Sequence, residues 1–136
     1  MGYRTILVVD DEPEQRALMS KALRQESYDV LEASDYREAL AVHARHLGEI
    51  VLVLTDVSLP GGNGYELSKA LLAVEPHLRL LLMSGHAGAE LCKFFNMPTT
   101  DLHFLQKPFQ PEELLERVRT LLRSDAPLTR AGRTTS

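Results

Sequence analysis

Cysteine occurs once in these 136 residues and tryptophan not at all, and basic side chains are outnumbered, 15 lysines and arginines against 19 aspartates and glutamates. A lone thiol excludes an internal disulfide. Cys92 falls with Leu91 and Phe95 at helical spacing, the pattern of a buried structural thiol rather than a reactive one. The formal charge of −4 argues against a nucleic-acid backbone as partner, because such binding rests on a concentrated basic surface. Here the basic residues are scattered, and only Arg123, Arg130 and Arg133 gather loosely, as in a solvated tail. No apolar run approaches the roughly 18 residues that a membrane helix needs. The opening MGYRTILVVDDE lacks the apolar stretch and small-residue cleavage site of a secretory signal. The expectation is a cytoplasmic protein with no membrane segment.

What is present is enough for one core: a chain of this length buries roughly two-thirds of its unfolded surface without disulfides or a structural metal. Five short apolar segments alternate with five stretches of helical periodicity, the pattern of an α/β fold with a parallel sheet covered on both faces. The strands are expected at residues 5–9, 29–33, 50–55, 79–83 and 102–106. Pro13 suits the first turn of a helix, with Leu18, Met19, Ala22 and Leu23 as its buried stripe. Asp35 and Glu38 have capping-box spacing and open a helix whose Ala39, Leu40, Ala44 and Leu47 are expected to point inward before Gly48 stops it. Asn63 caps a third helix burying Leu67, Leu71 and Val74, and Pro76 forbids its continuation. A short fourth helix is expected near residues 89–95, followed by the irregular Asn96, Met97, Pro98. Pro111 starts a fifth helix with Leu114, Leu115, Val118, Leu121 and Leu122 on its apolar face. Residues 1–124 form the expected domain, and 125–136, poor in apolar groups, a flexible tail.

The chemistry gathers where strands stop. The first ends on Asp10 and Asp11, the third on Asp56, the fourth on Ser84 and the fifth on Lys107. In a parallel sheet these ends share one edge, so residues remote in sequence converge. Two carboxylates about 4 Å apart repel by about 4 kcal/mol at an effective dielectric near 20. A divalent cation relieves that conflict, and an all-oxygen set of Asp10, Asp11, Asp56 and the main-chain carbonyl of Ser58 suits Mg²⁺. Lys107 and the Ser84 hydroxyl then surround the one carboxylate left open to react, Asp56, in a loop of small and glycine residues. Metal, lysine and an attacking carboxylate make a phosphoryl-transfer site.

The segments VVDDEP, TDVSLPGGNG, MSGH and FLQKPF, at four strand ends in this order and spacing, resemble the receiver domain of bacterial two-component response regulators across residues 4–124. The resemblance implies a flavodoxin-like (CheY-like) doubly wound sheet of five parallel strands, order 2-1-3-4-5, with five helices. It implies Asp56 as phosphoacceptor, Asp10 and Asp11 as Mg²⁺ ligands, Ser84 contacting the phosphoryl group and Lys107 pairing with it. The donor would be a histidine kinase or a histidine phosphotransfer protein, and the chain a signalling switch with weak autodephosphorylation rather than a metabolic enzyme. Ser84 and Phe104 would form the switch. Many receivers have tyrosine at the Phe104 position, so this chain lacks the phenolic hydroxyl that hydrogen-bonds in the inward rotamer. The readout face is expected to comprise the fourth helix, fifth strand and fifth helix, and to serve for a phosphorylation-dependent dimer. FLQKPF, together with the irregular segment before it, is most similar to receivers at the C-termini of hybrid sensor kinases.

Blander readings compete at each position. Asp10 and Asp11 could cap the first helix, but capping needs one carboxylate, not two beside a third. His43 and His46 read as structural histidines, whereas His86 borders the site and is expected to tune the lifetime of an aspartyl phosphate. A flavodoxin-like electron carrier would need a Ser/Thr/Gly-rich loop after the first strand, where Asp10, Asp11 and Glu12 instead repel a cofactor phosphate. A Mg²⁺-dependent phosphatase with an aspartyl nucleophile would place that nucleophile after the first strand, not the third. A docking module independent of phosphorylation would not need the full set of groups.

Overall fold

The computed structural model describes residues 4–85 and 103–123. Its sheet is built from β1 (Thr5–Val9), β2 (Asp29–Ala33), β3 (Ile50–Asp56), β6 (Arg79–Ser84) and β7 (His103–Gln106), all parallel, in the order β2-β1-β3-β6-β7. A two-residue hairpin, β4 (Ser58–Leu59) against β5 (Gly62–Asn63), lies between β3 and the next helix. With that hairpin set aside, the order is the expected 2-1-3-4-5. Helices α1 (Pro13–Gln25), α2 (Tyr36–Arg45) and α3 (Gly64–Val74) connect strands, and α4 (Pro111–Arg123) follows β7. The short helix expected near residues 89–95, Cys92 and the tail at 125–136 lie outside the described residues.

Both faces of the sheet are covered, which explains why its strands are apolar without alternation. Along β1, Ile6 and Val8 join a core closed by Met19 and Leu23 of α1 and Val118 and Leu122 of α4. Leu7 and Val9 point the other way, into a core with Ala39 and Val42 of α2 and Leu67 and Leu71 of α3. Each fully buried leucine or isoleucine contributes about 2 kcal/mol through removal of apolar surface from water.

Three of the helical stripes are narrower than their periodicity suggests. Leu18, Leu47 and Val74 are 62%, 56% and 60% exposed, and Ala44 is exposed as well, so none of them serves the core as expected. Leu18 sits one residue, about 100° of helical rotation, before the buried Met19, Ser20, Ala22 and Leu23. Leu47 follows the end of α2 at Arg45, and Val74 is the last residue of α3. On α2 the inward positions belong to Ala39, Val42 and His43. His43 is structural: its Nε2 lies 2.5 Å from Glu75 Oε1, while Glu75 Oε2 accepts the Gly48 N–H at 3.1 Å, tying α2 to the end of α3.

The caps form as expected, with one exchange of partner. Asp35 accepts the Glu38 N–H at 2.7 Å and Asn63 accepts the Glu66 N–H at 2.8 Å. The Glu38 carboxylate, however, reaches Ser34 rather than Asp35, accepting from both its N–H and its hydroxyl at 2.8 Å. At the end of α1 the Tyr28 N–H donates to the Leu23 carbonyl and the Ser27 N–H to that of Arg24, the paired bonds of a Schellman turn. Its left-handed position is held by Ser27, at φ 72°, where glycine has no side chain to strain. Ser27→Gly should therefore stabilise the fold by about 1 kcal/mol, read as a higher urea midpoint at unchanged slope; a lower midpoint would contradict this account of the turn.

Candidate functional site

Asp10 follows β1 directly, and its N–H continues the ladder by donating to the Ala33 carbonyl at 3.1 Å. Its side chain is fully buried. Oδ1 accepts the Glu12 N–H at 2.9 Å, whereas Oδ2 is buried with no hydrogen-bond partner among the described residues. On the adjacent strand, β3 delivers Asp56 opposite Met83 of β6. Asp56 Oδ1 accepts the Ser58 N–H at 3.0 Å, and Oδ2 accepts from Lys107 Nζ at 2.5 Å. Lys107 leaves β7 with its N–H donating to the Ser84 carbonyl at 2.7 Å, so the strand ladder itself aims the lysine. The Lys107–Pro108 peptide is cis.

Carboxylate oxygens of Asp10, Asp11 and Asp56 lie within 4.8 Å of one another, the first and last buried and Asp11 exposed. Burial pushes the Asp10 carboxyl above its ordinary pKa; the Glu12 N–H and Lys107 pull it back, and Asp56 and Asp11 push it further up. Burial lowers the pKa of Lys107, but the hydrogen bond and charge of Asp56, with Asp10 and Glu12, outweigh it and hold the ammonium above its usual range. Nζ stands 3.9 Å from Asp10 Oδ2, too far for a hydrogen bond. Among the described residues one lysine thus faces both Asp10 and Asp56, and a buried oxygen of Asp10 is left without a hydrogen-bond donor. A small divalent cation fits that donor set: hard, all oxygen, and exposed on the Asp11 side.

Ser84 ends β6 and is buried beside this cluster. Phe104 pairs with Leu82 across β6 and β7 and packs against Val57 and Leu82. One expectation shifts. Asp56, expected to stand open, is only 8% exposed, with Lys107 bonded to it. Ser58 meets Asp56 through its N–H. His86 lies outside the described residues.

Two parts of the site escaped sequence reasoning. Gly64, read as a turn residue, donates its N–H to the Val57 carbonyl at 2.8 Å and packs so closely that a Cβ there would stand 2.4 Å from the Asp56 carbonyl oxygen. Arg16 donates from Nη1 to the Asp10 carbonyl at 2.7 Å and from Nε to Glu32 Oε1 at 3.0 Å. The signal for Arg16 was its position in the second turn of the helix that Asp10 introduces, on the side that returns toward β2.

The same organisation recurs in known proteins. Residues 6–119 match the family model described as "Response regulator receiver domain". The chain is 36% identical over 121 residues to the transcriptional regulatory protein AruR of Pseudomonas aeruginosa, covering 87% of this chain and 49% of that protein. It is 32% identical over 122 residues to the sensor kinase CckA of Brucella abortus, covering 89% of this chain and 13% of the kinase. The chain therefore spans about half the length of the curated regulator and a small part of the kinase. Among solved structures, the receiver domain of the hybrid histidine kinase CckA superposes with a TM-score of 0.74 at 33% identity, covering 87% of this chain and 98% of that one. The chemotaxis protein CheY4 of Vibrio cholerae gives 0.78 at 27% identity, covering 88% and 99%. Among the described residues no helix is long and apolar enough to cross a membrane. The match runs from β1 into α4 and so takes in every strand whose end carries a residue of the acidic edge: this chain belongs to the response regulator receiver domains of two-component systems.

Proposed function

We propose that the chain accepts a phosphoryl group on Asp56 from a phosphohistidine of a histidine kinase or histidine phosphotransfer protein, in a Mg²⁺-dependent reaction, and that the modification changes its contacts with a partner. The observation that carries this reading is Asp56 Oδ2 at 2.5 Å from Lys107 Nζ beside two further carboxylates. In the transfer a carboxylate oxygen of Asp56 forms a bond to phosphorus as the N–P bond of the donor breaks, and the electron pair leaves with the imidazole. Asp10, Asp11, Asp56 and the Ser58 carbonyl would hold the cation, which supplies positive charge against the phosphoryl oxygens. Lys107, freed from its bond to the carboxylate, would pair with one of those oxygens, and the Ser84 hydroxyl would donate to another.

Release of Ser84 toward the phosphoryl group would make room for Phe104, whose ring already packs on Val57 directly after the acceptor. That coupling rests on packing, since phenylalanine has no hydroxyl to fix an inward rotamer. The chain on this reading is a signalling phosphoacceptor rather than a metabolic enzyme.

Incubation with a small phosphodonor and Mg²⁺, followed by intact mass, should show one added phosphoryl group on the wild type and none on Asp56→Asn. An unchanged wild-type mass, or an equal gain in the variant, would overturn the reading.

A further inference from the structure

Asp10 is held at nearly every polar atom it has. Its N–H is bonded to Ala33, its Oδ1 to the Glu12 N–H and its carbonyl to Arg16 Nη1, which leaves only Oδ2 directed at the acidic cluster. Of these restraints, the first is the sheet ladder and the second is local to the turn. The third alone comes from a side chain, and that side chain is itself anchored: Arg16 Nε donates to Glu32 Oε1 on β2, with Arg24 Nη1 3.7 Å from the other Glu32 oxygen. Arg16 is partly buried, with side-chain exposure of 19%, and its planar fork suits two acceptors held at a fixed angle.

We propose that Arg16, oriented by Glu32, is a positioning residue for the cation site: it fixes the main chain at Asp10 so that the buried carboxylate oxygen is aimed where the ion binds. The inference rests on the cation reading given above but adds residues outside the ligand set. Arg16 touches no reacting atom. It acts through the backbone of a ligand, as outer partners of metal ligands do, and their loss typically weakens metal binding by roughly tenfold to a hundredfold. Glu32 lies on β2, an edge strand of the sheet, and its side chain reaches Asp10 through Arg16.

The test is titration of the folded protein with MgCl₂ at room temperature, followed by NMR at the backbone amides of residues 10–12. Arg16→Ala should weaken Mg²⁺ binding by about tenfold and Glu32→Gln should weaken it in the same direction. Together they should cost no more than Arg16→Ala alone, because they form one chain of contacts. A merely structural role would lower the melting temperature of the metal-free protein and leave the room-temperature affinity unchanged, which would overturn the proposal, as would losses that add. Should Arg16→Ala fail to fold, Glu32→Gln, at a half-exposed position, carries the same decision. A wild type that shows no Mg²⁺ response would overturn the cation site itself and the role of Arg16 with it; a wild type that titrates beside unchanged variants would overturn only the latter.

Discussion

Asp10→Asn is expected to raise the melting temperature of the metal-free protein by about 4 °C while abolishing its response to Mg²⁺. The gain arises because Asp10 is a buried carboxylate with one oxygen lacking a hydrogen bond and two acidic neighbours. Its folded pKa is raised above the ordinary 3.8, so its ionised form opposes folding. That cost is present in full above the raised value and disappears as pH falls through it. The advantage of the variant should accordingly shrink on acidification. Asparagine keeps the oxygen that accepts the Glu12 N–H, removes the charge and puts an amide NH2, a donor to the neighbouring carboxylates, in place of the second oxygen. With Mg²⁺ at about 100 times its dissociation constant the wild type should gain about 2.7 kcal/mol and overtake the variant, which gains little. Thermal melts of both proteins with and without MgCl₂ decide the matter. A variant less stable than wild type without metal would show that the negative charge at residue 10 is already compensated.

Gly64→Ala is expected to cost about 3 kcal/mol and to cut phosphoacceptance by tenfold or more. At an ordinary first helical position the same change stabilises, since alanine narrows the unfolded ensemble and favours helix. The sign is opposite here because the new Cβ would lie 2.4 Å from the Asp56 carbonyl oxygen and 3.0 Å from the Val57 Cα, and both neighbours are backbone. No rotamer change relieves that overlap. The chain must move at the residue whose side chain is set against Lys107 and the Ser58 N–H. Urea unfolding and the rate of phosphoryl uptake would check it, and a variant as stable as wild type with a normal rate would dismiss the close approach.

The strands and the residues at their ends were legible because burial on both faces leaves an unbroken apolar run, and the first charge after it marks the sheet edge. Asp10, Asp56 and Lys107 were found that way. The helices were legible in place but not in rotation: Leu18, Leu47 and Val74 satisfy a period of 3.6, yet the sheet covers only part of each helix, and where that cover stops is a property of tertiary packing. Gly64 and Arg16 were missed for a related reason. Close approach of Gly64 to the backbone of Asp56 depends on how the short β4–β5 hairpin folds back, and the reach of Arg16 to the Asp10 carbonyl depends on where β2 places Glu32. Neither leaves a mark in local composition. The exposure of Asp56 was misjudged because its glycine-rich loop said nothing of Lys107 closing from β7.

Among the described residues, the ammonium of Lys107 beside three carboxylates has a further consequence, in charge balance. Asp10, Asp11 and Asp56 carry three formal negative charges and Lys107 one positive, leaving two negative charges over. A divalent ion brings that sum to zero, whereas a monovalent one leaves it unbalanced. On the proposed reading, the charge of these described groups favours a divalent over a monovalent ion. A phosphoryl dianion in place of the carboxylate charge of Asp56 would, on the same reading, turn that balanced assembly anionic by one charge.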